Sequence, residues 1–315
     1  MRRLGLMSFL LMFLACTSGA AATFPAVIDW EVGGKWSAYG YMDAAENNDA
    51  EDDFISDNRA LWENDIRWEE QNVFVKADVE WRYETFHGMD TGSDTDLRFR
   101  EVYGEIKGEQ QQFSIGQQIV TWGKLDDLVV LDRIAPQDYT HFVLYDKQER
   151  KDPALMARHQ WFGENDFQIE TIFMPMLQPS ELDFFGTNWS AFGYTKEVVN
   201  QDSVYTAGQK AAVAGISIQD DDRVTDQSLR NSQFALRARG RKAEVDYGVY
   251  YMNLYHTLPV LKESNPNGNL VKQFLYDPTT DHLNQIVGLT GDDLLLTESH
   301  PRINVIGADW ETVMG

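Results

Sequence analysis

Cysteine is nearly absent from this sequence: Cys16 is the only one in 315 residues. It sits in a leader where Met1-Arg2-Arg3 precedes the apolar run Leu4 to Ala15 and the small residues Ala20-Ala21-Ala22. A basic start, a short apolar run and small residues read as a secretory signal peptide over residues 1–22, cleaved after Ala22. The mature chain then carries no cysteine, which excludes disulfides and thiol chemistry. A second reading takes Phe13-Leu14-Ala15-Cys16 as a lipobox, making Cys16 the acylated first residue of a lipid-anchored protein.

Positive charge is scarce too. Lys and Arg number 27 against 50 Asp and Glu, a formal net charge of -23. That balance removes the basic face that nucleic-acid binding requires and makes cations the more natural partners. Long hydrophobic runs are missing as well: the leader's run is too short for a spanning helix of about 20 apolar residues, and no later segment approaches that length. A mean hydropathy of -0.42 would suit an ordinary soluble protein. Transmembrane strands, however, alternate lipid-facing and lumen-facing residues, so their average stays low while their period-two pattern is strong.

That pattern is present. From Ile28 to Asp43 one parity reads Ile28, Trp30, Val32, Gly34, Trp36, Ala38, Gly40, Met42 and the other Asp29, Glu31, Gly33, Lys35, Ser37, Tyr39, Tyr41, Asp43. A helix would mix these sets, so the spacing predicts a strand. The alternation returns from Val73 to Glu84, with Phe74 as its misfit, and again at Gln233 to Arg239, Ala243 to Tyr255 and Arg302 to Val313. Less regular strands are expected at Leu97 to Lys107, Phe113 to Thr121, Ala154 to Phe162 and Phe167 to Met174, and Leu61 to Glu69 completes a set of ten.

The connections alternate in length. Long polar ones run from Ala44 to Ala60, Thr85 to Asp96, Trp122 to Pro153, Pro175 to Arg230 and Thr257 to His300. Short ones are Glu70 to Asn72, Gly108 to Gln112, Gly163 to Asp166 and Gly240 to Lys242. A chain crossing a membrane up and down, with tight periplasmic turns and long outer loops, shows this alternation, whereas a sandwich has no reason to put every long loop at one end. The expected fold is therefore all-β, an antiparallel up-and-down transmembrane β-barrel over residues 23–315 in a Gram-negative outer membrane. Trp30, Trp36, Trp62, Trp68, Trp81 and Trp310 would supply its aromatic girdles.

Arg100-Glu101-Val102-Tyr103, Gly116-Gln117-Gln118, Trp122-Gly123, Asp132 and Pro136-Gln137-Asp138 form a spaced set within Leu97 to Pro153. This set resembles the hallmark of the proteobacterial family named domain of unknown function 1302, with Gln117 where that family usually has Arg and Ala135 where it usually has Asn. The resemblance extends over most of the mature chain and includes the strand-and-turn ending Ile306 to Gly315. It implies an outer-membrane barrel working alongside an envelope transporter, with hydrophobic or polymeric compounds as suspected cargo. Members of that family are longer, so this chain is expected to be an N-terminal portion of such a barrel.

The segment Trp122 to Pro153 is too rich in Leu, Val, Ile and Phe for an outer loop in water. It is expected to fold into the lumen as a constriction, carrying Asp126, Asp127, Asp132 and Asp138 opposite Arg82, Arg98, Arg100, Arg237 and Arg239 on strands. Such facing charges either set a transverse field that selects solutes or pair off with one another. The acidic runs Asn47 to Asp53 and Asp90 to Asp96 are expected to be solvated loops that weakly bind divalent cations at the lipopolysaccharide surface. The function expected is a porin-like channel for an unidentified solute, without cofactor or metal. An outer-membrane hydrolase using His87 or His256 is the enzyme alternative, but no nucleophile motif or metal-ligand spacing accompanies those histidines. A lipid-anchored surface or periplasmic binding protein is the third reading.

Overall fold

A computed structural model describes residues 29–42, 54–68, 72–87, 92–122, 132–140, 149–164, 166–186, 190–193, 195–220, 228–242 and 245–312. The leader, with Cys16 and Ala22, lies outside the described residues, as does the acidic run Asn47 to Asp53. Thirteen strands are described, β1 Asp29–Met42, β2 Phe54–Trp68, β3 Val73–His87, β4 Gly92–Lys107, β5 Gln111–Gln118, β6 Ala154–Phe162, β7 Gln168–Met174, β8 Ser217–Gln219, β9 Gln233–Lys242, β10 Val245–Tyr255, β11 Val260–Glu263, β12 Leu295–Ser299 and β13 Arg302–Thr312.

Ten of them form one sheet in the order β1-β2-β3-β4-β5-β6-β7-β9-β10-β13, every pair antiparallel. These are the ten expected strands. Their period-two pattern sorts the side chains in an unusual direction. Trp36 is 73% exposed, Ile306 83% and Trp310 76%, and the aromatic or aliphatic neighbours Trp30, Trp62, Phe99, Phe113, Val249 and Tyr251 share that exposed face. On the opposite face the ionic residues Asp57, Arg59, Asp78, Glu80, Glu170 and Arg237 are buried. An ordinary domain would place these two sets the other way round. The sheet is not closed: among the described residues, β1 and β13 have no strand beyond them.

Three expectations need correction. β2 begins at Phe54 rather than Leu61, because its first half pairs Ser56, Asn58 and Ala60 with one face and Asp57 and Arg59 with the other. Both parities are polar there, so the apolar contrast that marks a strand is missing. β4 begins at Gly92, and Asp94 and Asp96 pair with Glu84 and Arg82 of β3 instead of lying in a loop. The β3–β4 link is therefore only residues 88–91, and the alternation of loop lengths fails at that point. The long connections after β7 and β10 are not plain loops either. They contain α1 Thr195–Gln201, α2 Ala207–Ala214, α3 Gly268–Tyr276 and α4 Thr280–Ile286, together with β8, β11 and β12.

These helices are too short to show a periodic signal and draw their stability from a shared core that includes Val213, Ile216, Val271, Phe274, Ile286 and Leu296. One local cue existed: Thr206 and Gln209 make a reciprocal capping box at the start of α2. β12 sits between β11, antiparallel, and β8, parallel, in a separate three-stranded sheet.

Candidate functional site

The polar face of the large sheet is organised by a register shift in β4. Ala77 pairs with Val102 while Val79 pairs with Phe99, so β4 carries a bulge at Arg100 and Glu101. The apolar parity of β4 consequently switches from Leu97 and Phe99 to Val102, Gly104 and Ile106. Two consecutive charged side chains then reach the same face. Arg100 contacts Glu80 and the carbonyls of Glu149 and Lys151, while Glu101 pairs with Lys76 at 3.1 Å and accepts from the Ile119 N–H.

Gly116 permits the next step. Its φ is +138°, and a Cβ there would lie 2.2 Å from the Val102 carbonyl oxygen, so the tight β4–β5 approach needs glycine. Beyond it the chain turns onto the polar face. The Asp138 N–H donates to the Arg150 carbonyl and the Asp152 N–H to the Pro136 carbonyl, tying residues 136–138 to 150–152 as a short two-stranded strap. The strap is held against β1 to β4 by ions. Asp138 is wholly buried, accepts from Arg82 Nη2 at 2.8 Å and lies 3.8 Å from Arg59. Arg98 donates to Glu80 at 2.8 Å and reaches Asp152 at 3.3 Å and Glu181 at 3.6 Å. Glu149 accepts from Lys35 and Tyr39 of β1.

Burial by itself would raise the Asp138 carboxyl, but the Arg82 guanidinium and the Thr140 hydroxyl and N–H outweigh it and hold it at about 2. Asp152 goes the other way. Its burial, aided by the carboxylates of Glu181 and Asp138, overcomes Arg98 and pushes it up to about 7. Two acids of one strap thus differ widely in proton affinity because one collects donors and the other collects neighbours of like charge.

A second cluster lies on the same face across β6, β7, β9 and β10. Glu170 is buried between Arg158, whose Nε donates at 2.6 Å, and Arg237. The Arg237 guanidinium stacks over Trp122 at 5.2 Å, and that ring lies 5.8 Å from Tyr250. Arg239 donates from Nε to Gln168 Oε1. Above this cluster the inward positions turn apolar: Met156, Ile172, Ala235, Met252 and Leu254 pack with Val120, Trp122 and Ile134. Both parities of β6 and β7 are apolar in part, which explains their weak alternation in the sequence.

The expected residues therefore separate into groups. In the first cluster Arg82 bonds Asp138 while Arg98 and Arg100 bond Glu80, and Arg237 and Arg239 belong to the second. Asp132 joins neither and pairs with the fully buried Lys151 at 2.6 Å. Asp126 and Asp127 lie outside the described residues. Of the acids and arginines expected to oppose one another, Asp138 and Arg82 are in direct contact, whereas Arg98 and Arg100 meet Glu80, Arg237 meets Glu170 and Arg239 meets Gln168. Asp57 and Arg59 escaped notice because their half of β2 read as a loop, and Glu80 because it was one acid among several on β3. Phe74, the misfit of β3, faces the ionic side, 5.9 Å from Tyr103 with the Arg67 guanidinium 5.4 Å above its ring. His256 Nδ1–H donates to the Leu258 carbonyl at 2.9 Å, and the His87 side chain is outside the described residues.

No curated protein matches the chain. A family model does, over residues 16–315. The residues that carried the resemblance are those that build the strap and its seat: Arg100 and Glu101 at the bulge, Gly116 at the close approach, Trp122 under Arg237, Asp132 on Lys151, and Asp138 on Arg82. The chain belongs to the family described as Protein of unknown function (DUF1302).

Proposed function

We propose that this chain forms a porin-like barrel in the outer membrane and passes a polar or charged solute along the face that carries the two ionic clusters. The observation that carries this reading is the inverted burial of the sheet, with Trp36, Ile306 and Trp310 exposed and Asp57, Glu80 and Glu170 buried. Lipid accepts an apolar outer face at no cost, and a lumen accepts ionic side chains that water and counter-charges satisfy. β1 to β4 are 14, 15, 15 and 16 residues long, more than the roughly 9–11 a spanning strand needs, so they reach past the hydrocarbon. The bilayer also requires the free edges of β1 and β13 to be paired, with each other or with further strands, because no unpaired backbone is tolerated there.

On this reading the strap from the β5–β6 connection narrows the lumen, and the helical unit built from the connections after β7 and β10 stands on the outer side. Selectivity follows from pore radius and from the charges left to line the path. The test is heat-modifiable migration of outer-membrane fractions followed by conductance in planar bilayers. A band that shifts only on boiling, together with discrete conductance steps, supports the barrel channel. A protein recovered in the soluble periplasm, without a shift, overturns it.

A further inference from the structure

β9 presents three arginines in succession on the polar face, Arg237, Arg239 and Arg241, at the two-residue spacing that puts side chains on one side of a strand. The first and last are neutralised. Arg237 is clamped to Glu170 of β7, and Arg241 lies 3.6 Å from Asp246 of β10. The middle one differs. Its cross-strand partners are Gln168 on β7 and Gly248 on β10, so no carboxylate stands directly opposite it; the Asp309 carboxylate of β13, beyond Gly248, accepts from the Tyr250 hydroxyl. Arg239 is exposed and makes no ion pair among the described residues; its one hydrogen-bond partner there is the side-chain oxygen Oε1 of Gln168.

Two further donors at this place are unused. Gln168 is 2% exposed and its amide Nε2 has no hydrogen-bond partner among the described residues; the same holds for Nε of Arg237, which is 8% exposed. Buried donors left unpaired cost free energy, and their natural acceptor is an oxygen brought from outside. Arg158 adds a third guanidinium to the group through its bond to Glu170.

We propose that Arg239, with Gln168 and Arg237, forms a binding site for an oxyanion, the carboxylate of a solute or a free inorganic anion, near the short-turn end of the sheet. A planar carboxylate matches the free edge of a guanidinium in bidentate fashion, a fit that a point cation would not provide. The site rests on the channel reading only for its place along a permeation path; anion binding itself is independent of conduction. In a chain of net charge -23 it is a local reversal, and it assigns to the solute an anionic group.

The experiment is calorimetric titration of the refolded full chain with succinate and, separately, with sulfate, for the native sequence, Arg239→Gln and Gln168→Glu. The native protein is expected to bind, and Arg239→Gln to lose about tenfold or more in affinity. Gln168→Glu supplies an internal carboxylate to Arg239 and is expected to fold normally while losing anion affinity to the same extent. Succinate binding without sulfate binding identifies a carboxylate-bearing solute as the source; equal binding of both identifies a free oxyanion. Absence of binding by the native chain, or equal affinities in all three proteins, overturns the site. Conductance through the same preparation, present without anion binding, overturns the site alone; its absence beside intact, variant-sensitive binding overturns the channel and leaves the site.

Discussion

Replacing Asp138 with asparagine removes the charge on which the strap is seated while keeping its shape. The native carboxylate is wholly buried, bonds Arg82 at 2.8 Å, faces Arg59 at 3.8 Å and accepts from the Thr140 N–H at 3.0 Å. Removing one partner of a buried ion pair costs about 3–5 kcal/mol, because the remaining charge stays desolvated. Asparagine retains an acceptor oxygen for Thr140, which places the loss near the lower end, about 3 kcal/mol or more than a hundredfold in the ratio of seated to released strap.

Trypsin reads this directly. Arg150 and Lys151 lie in the strap, and Lys151 is fully buried, so cleavage there requires release. In the regime where opening is fast relative to cleavage, the rate at these sites should rise by about two orders of magnitude in Asp138→Asn, while the urea midpoint of the sheet moves little. Arg82→Gln should behave similarly, and the double variant should cost less than the sum of the two, since the second change relieves the charge stranded by the first. Unchanged cleavage in Asp138→Asn, with the urea midpoint intact, would refute the idea that these ions hold the strap.

The strap should also respond to pH. Asp152, pushed up to about 7 among Arg98, Glu181 and Asp138, has a folded value above its unfolded one of about 3.9, so it penalises the folded state increasingly as pH rises from about 4 to 7. Strap cleavage, taken at each pH relative to trypsin cleavage of an unfolded peptide, should therefore be slower at pH 5 than at pH 8, and Asp152→Asn should abolish that difference; a difference that survives the substitution contradicts the assignment. Asp138 lies at about 2, below its unfolded value, and its contribution is kept above about pH 4 and lost only toward pH 2. Gly116→Ala meets both a positive φ and the Val102 carbonyl, so a loss of at least about 2 kcal/mol in the urea unfolding of the refolded chain is expected, with near-native stability as the refuting result. Val249→Arg, on the exposed apolar face, should cost about 2–4 kcal/mol in lipid vesicles if that face meets hydrocarbon at the midplane. A neutral effect there would mean the face meets water.

Part of this protein was determined by local alternation, and that part was legible. Five stretches with a clear period of two became β1, β3, β9, β10 and β13 of one antiparallel sheet, because a strand sends successive side chains to opposite faces wherever one face is apolar and the other polar. Even the bulge is written in the chain, in the shift of apolar parity between Phe99 and Val102, although only the pairing with Ala77 and Val79 shows which residues share a face. The spaced motif that ties the chain to its family was also visible as a string. What it does was not, since Asp138 meets Arg82 and Lys151 meets Asp132 at separations of 56 and 19 positions in sequence.

Tertiary structure decided the rest. Where neither face of a strand is apolar, as in Phe54 to Ala60, or both are, as along β6 and β7, alternation carries no information and pairing with neighbours settles the extent. The four short helices exist because a common core stabilises them, not because their own sequences would fold. Which charges oppose and which stack is likewise fixed by register: Glu170 falls opposite Arg237, while the next inward position brings Gln168 to Arg239. A one-residue slip would send each of these side chains to the other face, so the ionic site is a property of the assembled sheet rather than of any one segment.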